Sequence, residues 1–364
     1  MKLKSLLAWA DKSANSMARA TGRAVVACSD EWSSDSYLSR NQDRMSALAR
    51  SFPALDYIVH GPHRLTPVPC AEVRTTANTE SAPAETASDD ALASSRRLFL
   101  RKATEYAKEP TNRPAFFSQI KRGKGLGLEI GPLHAPICSR PEFNVRYIDA
   151  FSTEELKRRH ASNPDVPTGK IVDVDYVWSG EPYGQLTSER FDFVVSSHNI
   201  EHVPCLISFL RSVESCMKPN AELFLAIPDK RYCFDYYKSE STIDEVLEAF
   251  ADQRARPTPR QVVCHTLLQT HNDSGRHWRG DHGIPDCLNG PDRGEQGLEL
   301  LRAFASDNVY HDTHCWIFTP GSFAEIMEFF HDQKLVRLKL TSLFPTEPNS
   351  HEFYAVLTLA ARNP

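Results

Sequence analysis

The chain has 364 residues, 41% of them apolar, and a formal net charge of -5. That length allows two domains, or one with appendages, and the charge argues against a nucleic-acid partner, which a basic stripe would mark. Its nine cysteines are odd in number and no two have C-x-x-C spacing, which speaks against a disulfide framework or zinc ribbon and for a reduced, cytoplasmic setting.

No apolar stretch approaches the roughly 20 residues of a membrane span. The opening segment, Met1 to Ala10, resembles a leader only faintly, because Asp11 cuts it off too early for a secretory core. Residues 1–74 show weak periodicity and carry no assignable fold. Thr75 to Ser95 is almost wholly small or polar, with Leu92 as its one large apolar residue, and reads as a disordered linker. Such a segment cannot bury enough surface to offset its ordering entropy. From residue 96 the pattern changes. Leu98, Phe99, Leu100 and Tyr106 suggest a helix running toward a basic turn, Lys121 to Gly125.

Strands are predicted at Leu126–Ile130, Val145–Asp149, Lys170–Asp175, Phe191–Ser196 and Ala221–Ile227. The fourth is nearly continuous in apolar character, as a central parallel strand covered on both faces should be. Between them, Ser152 caps a helix with early acidic residues, and Leu206, Phe209, Leu210, Val213 and Met217 stand at helical spacing before Lys218-Pro219-Asn220. This alternation predicts an open, doubly wound, Rossmann-like α/β sheet. After Asp229 it pauses through residue 312, where one helix is predicted behind a Thr242/Glu245 capping box. A helix from Thr319-Pro320 to Phe329 follows, then two strands, Val336–Leu343 and Glu352–Leu359, close enough in sequence to pair antiparallel.

Two features carry chemistry. Gly131 ends the first strand, and Asp149 ends the second. Glycine admits close backbone approach, and an acidic side chain at a neighbouring strand tip can accept both hydroxyls of a ribose. A nucleoside-bearing cofactor follows. The set Glu129-Ile130-Gly131-Pro132-Leu133-His134, Asp149, Asp175, Phe191 to Val195 with Glu201-His202-Val203, and Met217-Lys218-Pro219-Asn220 is similar to the class I S-adenosylmethionine-dependent methyltransferases. Ile227-Pro228-Asp229-Lys230-Arg231, Phe234-Asp235 and His314-Cys315-Trp316-Ile317-Phe318-Thr319-Pro320 resemble a bacterial branch found among surface-polysaccharide genes. The likeness spans about 125–359 and leaves 1–95 uncovered.

The resemblance implies S-adenosylmethionine as cofactor and a sugar, glycan precursor or small molecule as acceptor. Glu129, Gly131 and Pro132 would border its amino-acid end, Asp149 its ribose and Asp175 its adenine. Ser197, His198 and Asn199 would line the transfer site, and residues 230–312 would cover the acceptor. Many members have three glycines in the first turn. Here Gly131 stands alone with Pro132 and Pro136 behind it, which implies a shortened first helix.

Transfer to a hydroxyl is helped by a positioned base. His198 and His202, four apart, would share a helical face. Asp229 is a third candidate, with a structural ion pair to Lys230 or Arg231 as its plainer role. No metal is expected, since His277, His282, His311 and His314 with Asp281 and Asp312 match no zinc spacing. Trp278 and Trp316 suit either sugar stacking or packing. Asp173-Val174-Asp175 also spells the D-x-D of metal-dependent glycosyltransferases, one alternative, and a cofactor-binding scaffold without activity is another. A short-chain dehydrogenase is disfavoured, because no tyrosine has a lysine four positions on.

Overall fold

The computed structural model of the protein describes residues 106–120, 125–286, 291–306 and 311–361. The chain divides into two units, Met1–Ala82 and Pro83–Pro364, and every described residue lies in the second. The expectations for 1–74, the 75–95 linker, the helix start at Leu98–Leu100 and the basic Lys121–Lys124 turn fall outside the described residues.

In chain order the elements are α1 (Arg113–Phe117), β1 (Gly127–Ile130), β2 (Val145–Asp149), α2 (Thr153–Arg159), β3 (Tyr176–Val177), α3 (Tyr183–Leu186), β4 (Phe191–Ser197), α4 (Leu206–Cys216) and β5 (Met217–Pro228). There follow α5 (Ile243–Ala251), α6 (Pro259–Leu267), α7 (Ser274–Trp278), α8 (Pro291–Ser306), α9 (Pro320–Asp332), β6 (Leu338–Phe344) and β7 (Glu352–Leu359). The described strands form one seven-stranded sheet in the order β3-β2-β1-β4-β5-β7-β6. β1 to β5 pair parallel, and β7 runs antiparallel between β5 and β6.

Alternation along the strands divides the core. Leu128, Ile130, Val194, Leu223, Leu225, Phe353 and Ala355 face one layer, where Leu206, Leu210 and Val213 of α4 and Phe323, Met327 and Phe330 of α9 cover them. Val145, Phe193, Val195, Phe224, Tyr354 and Val356 face the other, against Phe116 and Phe117 of α1. Residues in the central strands are therefore apolar on both sides, as covered parallel strands require. At Gly127 a Cβ would fall 2.2 Å from the Phe193 ring, so only glycine lets β1 and that ring approach so closely.

Three local expectations need correction. The third strand is Tyr176–Val177, not Lys170–Asp175. The amide of Val172 donates to Leu133 O (2.9 Å) and that of Val174 to Thr153 Oγ1 (2.9 Å), so loop and helix-start acceptors take the bonds a sheet ladder would need. No helix, even a short one, joins β1 to β2; Pro132, Pro136 and Pro141 lack the N–H that helix bonding uses. The 230–312 segment holds α5, α6, α7 and α8 where one helix was expected. α6 begins on its own capping box, with Thr258 accepting from Gln261 N (3.2 Å) and Gln261 Oε1 accepting from Thr258 N (2.8 Å).

Candidate active site

Ligands of open α/β sheets gather beyond the carboxyl ends of the strands. There, Gly131 N donates to Ile148 O (2.9 Å), which sets the β1 turn directly beside Asp149 at the tip of β2. Gly131 has φ +64°, and beyond its chain neighbours no atom lies within 4 Å of where its Cβ would stand. Leu133 is also left-handed, at φ 46°. Glu129 holds this turn from beneath: its two carboxylate oxygens accept the amides of Ile137 (2.7 Å) and Cys138 (2.9 Å), and Pro132 is buried. Burial pushes the Glu129 carboxyl above its ordinary range, against the pull of those amides. Asp149 accepts from Phe151 N (3.1 Å) and is half-buried, and burial likewise raises its carboxyl.

Asp175 turns back onto β2. Its Oδ2 accepts Tyr147 N (2.7 Å) and also pairs with Arg140, whose guanidinium lies over the Tyr147 ring. It therefore sits at the β2 edge, and Asp173-Val174-Asp175 lies outside any strand. At the mouth of β4, Ser197 Oγ accepts from Arg113 (2.8 Å) and Asn199 Nδ2 donates to Ser196 Oγ (3.2 Å).

His198 and His202 do not share a helical face, because residues 198–205 form turns and His198 is left-handed at φ 47°. They flank one carboxylate instead. Glu201 is fully buried, with Oε1 3.7 Å from His198 Nδ1 and 3.8 Å from His202 Nε2. Each histidine is held by another acid on its far side. His198 Nε2 lies 2.7 Å from Glu352, and His202 Nδ1 lies 2.8 Å from Asp312. Burial works to lower the His202 pKa, but the Asp312 contact and the charges of Glu201, Asp312 and Asp235 outweigh it and the net direction is upward.

The segment before α9 completes the cluster. Glu201 O accepts the amides of Cys315 (2.6 Å) and Trp316 (3.1 Å), and Trp316 Nε1 donates to Val203 O (2.6 Å). Trp316 is thus a core residue, 1% exposed, with no ring face left for a sugar. These bonds bring His314 edge-on to His202, with ring centroids 4.6 Å apart. His314 Nδ1 meets Asp235 at 2.6 Å, and Asp235 also pairs with Lys238. Burial opposes ionisation of Asp235, yet Lys238 and His314 hold its carboxyl well below the ordinary range.

Asp229 lies elsewhere in the interior. It is fully buried, takes Arg231 through both oxygens (2.9 and 2.6 Å) and accepts from Thr346 (2.6 Å). Trp278 stacks on Tyr232 at 4.0 Å and donates to Ser350 O. His277 and His282 meet each other at 3.0 Å, apart from His314's partners, so the four histidines considered from sequence do not converge. Glu352 and Arg113 escaped the sequence reading, and Asp312 entered it only among the metal-ligand candidates, not as a partner of His202. The available signal for Glu352 was a lone acid opening an apolar strand; Arg113 gave none.

The sheet order, with its antiparallel β7 slotted beside β5, now stands with a glycine turn and an acidic strand tip at its ligand end. A family model described as a methyltransferase domain matches residues 100–330, more than half of the chain. The chain belongs to that family. Similar solved structures include the CcbJ methyltransferase from Streptomyces caelestis, at 11% identity over 68% of this chain and 88% of that one, with TM-score 0.34. A methyltransferase from Pyrococcus furiosus matches at 12% identity, 68% and 82% coverage and TM-score 0.30. The methyltransferase CalH, solved with SAH, matches at 14% identity, 64% and 51% coverage and TM-score 0.30. No curated protein matches the chain. Among the described residues of this methyltransferase, no helix is long and apolar enough to cross a membrane.

Proposed function

We propose that this methyltransferase uses S-adenosylmethionine, held across the carboxyl ends of β1, β2 and β4, to methylate a hydroxyl or amine of a sugar or glycan precursor. One observation carries the cofactor reading: Gly131, with open space at its Cβ position, bonds Ile148 O, one residue before Asp149 at the tip of β2. That pair fits the group, since the glycine admits close approach and the acid accepts from ribose hydroxyls. When bound, the sulfonium supplies an activated methyl group. The domain of this reading runs from 96 to 364, and residues 230–312 cover the acceptor. The acceptor class rests on the resemblance of the Ile227 to Arg231 and His314 to Pro320 segments to the polysaccharide-linked branch.

The chain's own residues do the positioning. Gly131 and Pro132 border the amino-acid end over the loop that Glu129 fixes, and Asp175 with Arg140 closes the adenine side. Ser197 and Asn199 frame the transfer site. His198 is the base: its backbone is in a region that costs non-glycine residues energy, and its ring is oriented by Glu352, as a proton-accepting imidazole requires. Asp229 is a structural ion-pair partner of Arg231, because its oxygens are already engaged.

Calorimetry with S-adenosylhomocysteine tests this. Asp149→Ala should weaken binding at least tenfold while its far-ultraviolet circular dichroism stays that of the parent. Parental affinity in that variant would remove the ribose assignment. His198→Ala should lower turnover far more than cofactor affinity; equal losses, or none, would take the base role from it.

A further inference from the structure

The buried carboxylate of Glu201 has no hydrogen-bond partner at either oxygen, although it is fully enclosed. Burying an ionised carboxylate without a partner costs several kcal/mol. Protonating it does not remove the problem, since an unpaired buried hydroxyl is also costly. The ring nitrogens beside it, at 3.7 and 3.8 Å, are too far for hydrogen bonds.

We propose that Glu201, His202 and His314 form a binding site for a divalent transition cation of the zinc class. One ligand atom from each of the three lies within 4.8 Å of the others. Around a tetrahedral ion with bonds of about 2.0–2.2 Å, ligand atoms stand roughly 3.3–3.6 Å apart. The 3.8 Å from His202 Nε2 to Glu201 Oε1 therefore needs only a small contraction.

The surroundings fit a metal better than they fit a plain hydrogen-bond cluster. His314 Nδ1 is hydrogen-bonded to the Asp235 carboxylate at 2.6 Å, and the Asp312 carboxylate lies 2.8 Å from His202 Nδ1. A carboxylate on one ring nitrogen fixes the tautomer that offers the other nitrogen as a ligand, which is the usual support of metal-binding histidines. Lys238 in turn holds Asp235. The two backbone bonds from Cys315 and Trp316 to Glu201 O lock the ligand-bearing loops together before any ion arrives. Two imidazoles with one carboxylate favour zinc, cobalt or iron(II) over magnesium, which prefers oxygen ligands and retains its waters. Three protein ligands leave a fourth position open.

The test uses the full chain, stripped with a chelator and titrated with cobalt(II), whose tetrahedral complexes absorb visible light strongly. Zinc uptake is counted in parallel by equilibrium dialysis. One equivalent should bind with a tetrahedral-type spectrum and be displaced by zinc but not by magnesium. Glu201→Gln, close in shape to the parent, and His314→Ala should each weaken binding at least tenfold, with circular dichroism checking that both fold. His282→Ala, in the separate histidine pair, and Asp149→Ala should bind cobalt as the parent does. The latter separates this site from the cofactor reading, which fails or holds on its own calorimetry. No stoichiometric uptake by the parent, or equal uptake by folded Glu201→Gln, would overturn the site.

Discussion

Glu352, at the first position of β7, takes Arg113 (2.6 Å) and His198 (2.7 Å) on one oxygen and the Tyr354 hydroxyl (2.8 Å) on the other. Burial favours its neutral form, but the His198 contact and the Arg113 charge prevail and bring its pKa down to about 2. A carboxyl depressed in the folded state contributes stability that is complete above its unfolded value, about 4.3, and fades as pH falls through the folded one. The parent should therefore lose on the order of 2–3 kcal/mol of unfolding free energy from this group between roughly pH 5 and pH 2. Glu352→Gln should be less stable at neutral pH and show a flatter urea-denaturation profile across that window. A profile parallel to the parent's would show that Glu352 is not ion-paired in the folded protein. No periodicity could have pointed to this partnership, because Arg113, His198 and Glu352 meet only through the sheet order.

The turn after β4 and the segment before α9 act as one unit, joined by the bonds to Glu201 O and by the Trp316 indole on Val203 O. Trp316→Phe keeps most of the apolar surface but orphans that carbonyl. It should cost about 1–3 kcal/mol in chemical denaturation. A loss below about 0.5 kcal/mol would mean the indole bond contributes little to joining the two loops. At this level the sequence was readable where a single driving force dominated. β2 and β7 lie where apolar runs placed them, and α2 starts on its Ser152 cap. Reading failed where backbone bonds leave the ladder. The Ile171-Val172-Asp173-Val174 alternation imitates a strand, while its amides answer to Thr153 and Leu133. In the 230–312 segment, α6 announces itself by the Thr258-Pro259-Arg260-Gln261 box, a signal masked by the many polar residues nearby.

The α/β class followed from the alternation of strands and helices and from the late antiparallel pair, which are local features of the chain, whereas the order of the strands was implied only by the methyltransferase resemblance. The adjacency of Gly131 and Asp149 was legible too, because each stands at a strand end and neighbouring parallel strands bring their tips together. The acidic shell around His198, His202 and His314 was not, since it is drawn from β7, from the segment after β5 and from the approach to α9. A competing surface lies among the described residues. A recess of about 700 Å³ at the opposite, amino end of the strands is lined by Arg190, Arg211, Lys334 and Arg337. Ultraviolet cross-linking of radiolabelled S-adenosylmethionine to the full chain, followed by peptide mapping, decides between the two ends of the sheet. Label competed away by S-adenosylhomocysteine should appear within 129–151 and 197–202. Label concentrated at Arg190, Arg211 or Lys334, or none that competes, would contradict the placement of the cofactor at the carboxyl ends of β1, β2 and β4.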